Sequence, residues 1–230
     1  FDPPLRNNGL MAIGDGRAAI STAGAEQSEL RARQIAAQVI SEEKRAHLVP
    51  CIPARVERFD AECASIFFSR YGRMLYRRPL GESELSGVMT LAADAASQAG
   101  NFYRGLEVGL TRMLVSPHFL FRVERSEADP ERPGTSRLDS YSLATRISFL
   151  LGNAPPDAEL LDAAASGALH EQKGIEAQVD RLIASPQFVD GTRAFFSDMF
   201  GYEQFTNLAK DQALFPKYTS QLAADAREQT

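Results

Sequence analysis

Hydrophobic residues recur at helical spacing along most of this chain, and the clearest pattern lies between residues 51 and 80. The repeated apolar positions there are Ala64, Phe67, Phe68, Tyr71 and Leu75. Spacing of three and four residues places them on one face of a helix, as a stripe that faces a core. Asp60 suits an N-cap and Pro79 cannot continue a helix, so the pattern predicts a helix over about 60–77.

Similar patterns predict helices before and after this segment. Residues 25–46 have the spacing of a single amphipathic helix, and a second pattern ends at Gly100, a residue typical of helix C-termini. The next helix begins near Asn101 and carries Gly105 and Gly109, four residues apart. Small residues at this spacing let another helix backbone approach closely, so we predict a tight helix crossing there.

The second half of the chain repeats this organisation. Helix patterns follow residue 138, Pro156 and Ile175, and a last one starts near Tyr218. The strings MLVSPHF and LIASPQF share the form apolar-apolar-x-Ser-Pro-x-Phe, and each joins two helical segments. Both strings are therefore predicted to form helix-to-helix corners, and seven residues are too few to establish an internal duplication.

These patterns predict an all-α protein, an irregular multi-helix bundle of two helical subdomains with an N-terminal extended arm. Residues 1–24 are rich in Gly, Pro and Asn and have no sustained period, which is typical of an arm or loop. The first helical subdomain is predicted over 25–125. Residues 126–137 are charged and contain Pro and Gly, so they are predicted to be a linker. The second subdomain is predicted over 138–230, truncated at its C-terminal end.

Two groups of side chains admit a functional and a structural interpretation. Arg70, Arg73 and Arg77 form a row beside the apolar stripe that resembles an anion-binding row, but a solvated surface with local ion pairs is favoured. The second group lies on one late helix and is heavily aromatic. It consists of Phe188, Thr192, Phe195, Phe196 and Met199. Packed core is favoured over a cofactor pocket for this group.

The chain contains two cysteines, Cys51 and Cys63, with a Pro-containing turn between them. A disulfide can close this short loop and would contribute roughly 3 kcal/mol in an oxidising compartment. Two buried free thiols in a cytosolic protein fit the spacing equally well. The pair is neither a C-x-x-C motif nor accompanied by further zinc ligands.

Composition and motifs argue against nucleic-acid binding, a membrane span and a metal site. A net charge of −5 and a pI near 5.3 give no overall attraction for a polyanion, so nucleic acid is a poor partner. No apolar run reaches the roughly 18 residues of a transmembrane segment. His47, His118 and His170 each lack a second ligand at helical spacing, so a structural or solvent-facing role is favoured over metal binding.

No catalytic constellation stands out in the sequence. Ser-Pro serines lack the G-x-S-x-G elbow, and no phosphate-cradling glycine loop follows a strand. The carboxylate pairs Asp157 with Glu159 and Asp225 with Glu228 fit acid and base roles in principle. Placement at helix ends and solvent exposure explain them more simply. We therefore predict neither catalytic nor metal-binding residues.

Several strings resemble a known family in their order along the chain. They are YGRMLYRRPL, NFYRGLEVGLTRMLVSPHFLFRVE, RLDSYSLATRISFLL, PPDAELLDAAASGAL and LFPKYTSQLAADARE. Together they resemble the planctomycete-type, cytochrome-associated family called domain of unknown function 1592, with its companion modules 1587 and 1595. The resemblance covers about residues 45–230, and residues 1–24 match poorly beyond FDPPLRNNGL.

The resemblance implies an extracytoplasmic protein, periplasmic or secreted, whose helical modules usually follow a c-type cytochrome domain. It also implies that Cys51 and Cys63 match the family's paired cysteines and form a disulfide. This chain lacks the haem-attachment motif C-x-x-C-H. We therefore expect no cofactor within it, and haem c on an associated domain or chain. The family pattern continues beyond residue 230, so further C-terminal modules of the same polypeptide are expected partners.

Three functions follow from this resemblance as expectations. The first is a non-catalytic helical scaffold that docks a haem-bearing cytochrome domain for electron transfer. The second is part of an oxidoreductase whose active site is completed by other modules. The third is a structural subunit of a larger membrane-associated redox or photosynthetic assembly.

Overall fold

The structure is a computed structural model, and it describes residues 20–202, 210–211, 213–219, 221–222 and 225. The helices in this part of the chain are, in order from α1 to α10, Thr22–Ile40, Glu42–Leu48, Ala61–Leu75, Glu82–Ala99, Phe102–Leu114, Pro117–Leu120, Ser140–Gly152, Ala158–Ala165, Gln172–Ile183 and Pro186–Phe200. Strands β1 (Ser126–Ala128) and β2 (Ser136–Leu138) form one antiparallel hairpin. The fold is mostly helical, so the predicted all-α class is confirmed.

The helix predicted over 25–46 is in fact two helices. Ser41 separates α1 from α2, and its hydroxyl donates a hydrogen bond to the carbonyl of Gln38 at 2.9 Å. A side chain that satisfies an end carbonyl can stop a helix without Gly or Pro, which the apolar spacing does not reveal. Residues 22–24 of the predicted arm are helical, and residues 1–19 lie outside the described part.

The first hydrophobic core lies between α1, α3, α4 and α5. The stripe predicted from residues 64 to 75 faces this core, and Ala64, Phe67 and Phe68 are fully buried. The rings of Phe67 and Phe68 meet edge to face with centroids 5.3 Å apart. On α5, Phe102 and Leu106 are also fully buried against them. The amphipathic pattern therefore identified the core face of this half correctly.

Helices α4 and α5 cross at short range, as the two glycines predicted. A Cβ atom added to Gly105 would overlap the carbonyl oxygen of Ala92 and lie 2.9 Å from the Cβ of Ala96. A Cβ atom at Gly109 would overlap the ring of Phe68 and lie 3.2 Å from a methyl group of Val88. Because Gly105 and Gly109 have no side chains, α4 and α5 can pack this closely.

A second, smaller core lies between α7, α8 and α9. Its fully or nearly buried residues are Ala144, Leu160, Ala164, Leu169 and Leu182. Between the two cores, the segment predicted as a linker forms the β1–β2 hairpin, with Ser126 paired to Leu138. The Asp129 carboxylate organises its turn by accepting hydrogen bonds from the Glu131 amide and from Nε of Arg132, both at 3.0 Å.

Both Ser-Pro strings are helix corners, as predicted. Ser116 and Ser185 occupy the N-cap positions of α6 and α10, and Pro117 and Pro186 follow at the first helical position. Proline is favoured there because its missing N–H has no helical partner to lose. None of the described helices combines the length and apolarity needed to cross a bilayer.

Candidate functional site

The predicted cysteine pair forms a disulfide that joins the loop before α3 to the first turn of that helix. Cys51 and Cys63 are bonded to each other, with Cα atoms 5.5 Å apart. The Asp60 carboxylate holds the same loop by accepting hydrogen bonds from the amides of Ala54 and Cys63, each at 3.0 Å. These hydrogen bonds, that of Ala54 first, lower the pKa of Asp60.

Arg77 is buried, so its assignment to a solvated surface row was wrong. Helix α3 ends at Leu75, and Arg77 takes a left-handed backbone conformation with φ of 58° and only 7 % exposure. Its guanidinium donates hydrogen bonds to the carbonyl oxygens of His118 at 2.6 Å and Phe121 at 2.8 Å. Arg77 therefore caps the end of α6, a helix some forty residues later in the sequence. The spacing of residues around Arg77 does not reveal a contact between such distant parts of the chain.

The other two arginines of that row differ from Arg77. Arg70 is exposed, as predicted. Arg73 forms an ion pair with Asp162 of α8, which joins the first core to the second. The three side chains therefore do not converge on one anion.

Arg78 and Glu84 form a mostly buried ion pair beside Arg77. The Arg78 guanidinium donates two hydrogen bonds to the Glu84 carboxylate, at 2.8 and 2.7 Å. The same carboxylate accepts a hydrogen bond from the Gly81 amide at 2.8 Å, which caps the start of α4. The hydrogen bond from Arg78 is the main reason that the pKa of Glu84 falls from 4.5 to about 2.

Substitution of Glu84 by Gln is expected to make the protein less stable at neutral pH by about 1–2 kcal/mol. The pKa of Glu84 is lower in the folded protein than in the unfolded chain, where it is 4.5. The ionised carboxylate therefore stabilises the folded state above pH 4.5, and this stability is lost as the pH falls towards 2. Urea unfolding between pH 6 and about 2 should therefore show a decline in the wild type that is smaller in the Gln variant. Equal slopes in both proteins would contradict this assignment.

The three histidines are spread over the structure. His47 is exposed, whereas Nε2 of His118 lies 3.4 Å from Glu84 and Nε2 of His170 lies 3.2 Å from Glu127. Burial, and then repulsion from Arg78, lower the pKa of His118. In the described residues no group of three or more His, Cys, Asp or Glu side chains is arranged around a metal-sized space.

The carboxylates Asp157 and Glu159 serve the start of α8. Asp157 is its N-cap, accepting a hydrogen bond from the Leu160 amide at 2.9 Å, and it pairs with Arg181 of α9 at 2.7 and 2.9 Å. Arg181 is the main cause of the lowered pKa of Asp157. This agrees with the prediction of a helix N-terminal role. Glu228, of the other predicted pair, lies outside the described residues.

Helix α10 presents an apolar surface to solvent, so the prediction of packed core was wrong for Phe195, Phe196 and Met199, whereas Phe188 and Thr192 of the same group are half-buried. One side of α10 packs on α7, where Gly191 lies against the backbone of Leu151 and Gly152. The exposed surface, which we name the α10 surface, consists of Val189, Phe195, Phe196, Met199 and Phe200. Each of these five side chains is between 42 % and 56 % exposed.

The aromatic rings of the α10 surface contact each other rather than a core. Phe195 and Phe196 meet edge to face with centroids 5.4 Å apart, and Phe196 and Phe200 stack at 5.9 Å with an angle of 9° between planes. Sequence analysis missed this surface because aromatic residues at helical spacing look the same on a buried face and on a binding face. An exposed surface that combines Phe and Met side chains is typical of protein interfaces.

Two family models match the chain. PSD5, described as a protein of unknown function (DUF1595), matches residues 63–124, and PSD4, described as a protein of unknown function (DUF1592), matches residues 138–230. These two matches confirm the modules 1595 and 1592 of the resemblance. No curated protein and no solved structure gives a match.

Proposed function

We propose that this chain, which carries the two domains of unknown function DUF1595 and DUF1592, is a helical docking module of a periplasmic or secreted, cytochrome-linked protein. In this proposal the α10 surface holds a haem-bearing c-type cytochrome domain or chain and positions it for electron transfer. The observation that carries the proposal is the exposure of the α10 surface on a helix whose opposite side is anchored to α7.

The chemistry of the α10 surface suits such a partner. Burial of large apolar side chains is the main favourable contribution to the association of two proteins. Interfaces for electron transfer are small, below about 1,200 Å², so one helix face is a sufficient contact. Phe and Met side chains complement the apolar surroundings of an exposed haem edge. The Met side chain is flexible, which suits a partner that binds transiently and then dissociates.

The cysteine bridge supports the proposed compartment. Disulfides persist where the surroundings are oxidising, as in the periplasm and outside the cell, and are reduced in most cytosols. The Cys51–Cys63 bond therefore fits an extracytoplasmic protein. A c-type cytochrome partner is found in the same kind of compartment, which makes the two parts of the proposal consistent with each other.

Site-specific photo-cross-linking in the native protein tests the proposal. A photoreactive phenylalanine analogue replaces Phe200, and in a matched control it replaces Leu30 of α1, which is similarly exposed at 49 % but lies in the other half. Cross-linked peptides are identified by mass spectrometry, and covalent haem is detected by peroxidase staining and by the reduced-minus-oxidised spectrum. We expect the probe at position 200, and not that at position 30, to attach to a haem-bearing domain.

Two results would overturn the proposal. The first is a native preparation that contains no haem-bearing domain or chain. The second is a haem-bearing partner that is cross-linked equally, or not at all, from positions 200 and 30.

A further inference from the structure

The residues of β1 that bond to β2 follow from the ends of the hairpin. The Asp139 amide donates to the carbonyl of Arg125, and the Asp129 amide donates to that of Thr135, each at 3.0 Å. Hydrogen-bonded residues alternate along an antiparallel ladder, so Glu127 is the residue between them that also bonds to β2. The residues on either side of Glu127 therefore turn their backbone groups away from β2.

These two residues, Ser126 and Ala128, form an open sheet edge. All of β1 is exposed, and the backbone groups of Ser126 and Ala128 make no hydrogen bond outside the hairpin within the described chain. A row of unpaired N–H and C=O groups is a template for pairing with another strand. Both side chains are small and uncharged and neither residue is proline, so they leave this edge accessible.

Two charged side chains beside this edge have unused bonding capacity. Arg125 is exposed, and although its amide donates to Oγ of Ser142, its guanidinium makes no hydrogen bond or ion pair with the described residues. Nε of Arg137 at 2.8 Å and Nε2 of His170 at 3.2 Å both contact Oε1 of Glu127. The other oxygen, Oε2, accepts no hydrogen bond in the described part of the chain. Arg125 and Glu127 are two residues apart in an extended segment, so they lie on one face.

We propose that β1 pairs with β1 of a second copy of this chain, antiparallel about a two-fold axis beside Ser126. In this register Ser126 lies opposite Ser126 of the second copy, and the two residues exchange both backbone hydrogen bonds. Arg125 then lies directly opposite Glu127 of the second copy, and the symmetry repeats this ion pair. The product is a four-stranded antiparallel sheet in the order β2, β1, β1, β2.

The charges of β1 favour this register over its neighbours. A register centred on Glu127 sets the two Glu127 carboxylates against each other, and like charges directly opposite are destabilising. Arg125 would then face Asp129, whose carboxylate is already held within the turn of its own hairpin. A register centred on Ala128 opposes Glu127 to Asp129. The register centred on Ser126 instead brings opposite charges together, in a pair whose side chains approach closely because it has no ladder hydrogen bonds.

The proposed contact is small and is separate from the docking of a haem-bearing partner. One short strand from each copy buries less than the roughly 1,200 Å² of a stable interface, so we expect an equilibrium between monomer and dimer. The hairpin and the α10 surface share no residue. Failure of this proposal would therefore leave the proposed function standing, and the converse also holds.

Cysteine cross-linking tests the register. Cys51 and Cys63 are the only cysteines and are bonded to each other, so an introduced cysteine is the one free thiol. Ser126→Cys sets two thiols opposite each other, at the Cα separation of about 5.5 Å that suits a disulfide. Ser136→Cys is the matched control, because Ser136 is equally exposed but lies on the outer edge of β2. With copper phenanthroline and air as oxidant, we expect dimer to form about tenfold faster, or more, in Ser126→Cys.

Sedimentation equilibrium of the folded chain at increasing concentration measures the strength of the pairing. Ser126→Pro removes an outward amide hydrogen but no hydrogen bond of the hairpin, and Arg125→Glu reverses one charge of each ion pair. The controls make the same changes elsewhere. They are Ser136→Pro on β2 and Arg112→Glu on α5, where Arg112 is exposed and makes no ion pair with described residues.

We expect a dimer whose Kd rises about tenfold or more in Ser126→Pro and in Arg125→Glu, and is unchanged in both controls. A chain that stays monomeric up to about 1 mM would overturn the proposal. Cross-linking of Ser136→Cys as fast as Ser126→Cys would overturn it, as would an unchanged Kd in Ser126→Pro or in Arg125→Glu.

Discussion

Replacement of Gly105 by Ala is expected to lower the free energy of unfolding by about 2 kcal/mol, although alanine is the better helix former. The added methyl group would overlap the carbonyl oxygen of Ala92 and crowd the Cβ atom of Ala96. Backbone atoms cannot rotate away as a side chain does, so α4 and α5 must move apart and loosen the core between them. Overpacking of this kind costs about 3 kcal/mol, and the better helix propensity returns about 1 kcal/mol.

Gly87 of α4 provides the matched control. No atom lies within 4 Å of a Cβ added to this glycine, which also occupies a helix interior. Gly87→Ala is therefore expected to raise the free energy of unfolding by about 0.5–1 kcal/mol. The two variants make the same chemical change, so urea unfolding of both isolates the effect of the helix crossing. A stabilised Gly105→Ala protein would contradict the close approach of α4 and α5.

The helices of the first core illustrate what the sequence could predict. Amphipathic spacing identified the buried faces of α3 and α5. Apolar residues that recur every three or four positions lie on one side of a helix, and that side faces the core. The close crossing at Gly105 was also predictable, since two small residues four apart leave a flat strip on one helix face. These features depend only on residues near each other in sequence.

Features that depend on distant residues were not predictable. Arg77 looks like the end of a solvated row, but its partners are carbonyl oxygens at residues 118 and 121, which only the folded chain brings near. Its burial also required the left-handed turn at residue 77, for which a non-glycine residue gives no sequence signal. The helix predicted over about 60–77 stops at Leu75, before this turn.

The α10 surface went unpredicted for a related reason. Helical spacing indicates that a face is apolar but does not say whether the chain itself covers it, so the pattern predicts packed core for Phe195 and Phe196, which are exposed.

Reduction of the Cys51–Cys63 disulfide is expected to lower the free energy of unfolding by about 3 kcal/mol. The bond closes a loop between residues 12 apart, and in the chain-entropy model its main effect is to restrict the unfolded chain. Within the folded state it ties this loop to α3, where Asp60 already holds the amides of Ala54 and Cys63. The loop should therefore keep its position after reduction, and the loss should appear in stability rather than in fold.

Urea unfolding with and without reductant measures this loss, and intact mass after alkylation shows how many thiols are free in each sample. The double variant Cys51→Ala/Cys63→Ala is the control, and its stability should not change with reductant. Cys63 is only 4 % exposed, so the variant also loses sulfur contacts in the core that the reduced wild type retains. Reduced wild type should therefore be slightly more stable than the variant. Equal stability of oxidised and reduced wild type would show that the bond does not constrain the unfolded chain, and alkylation without reductant would show that the bond is absent.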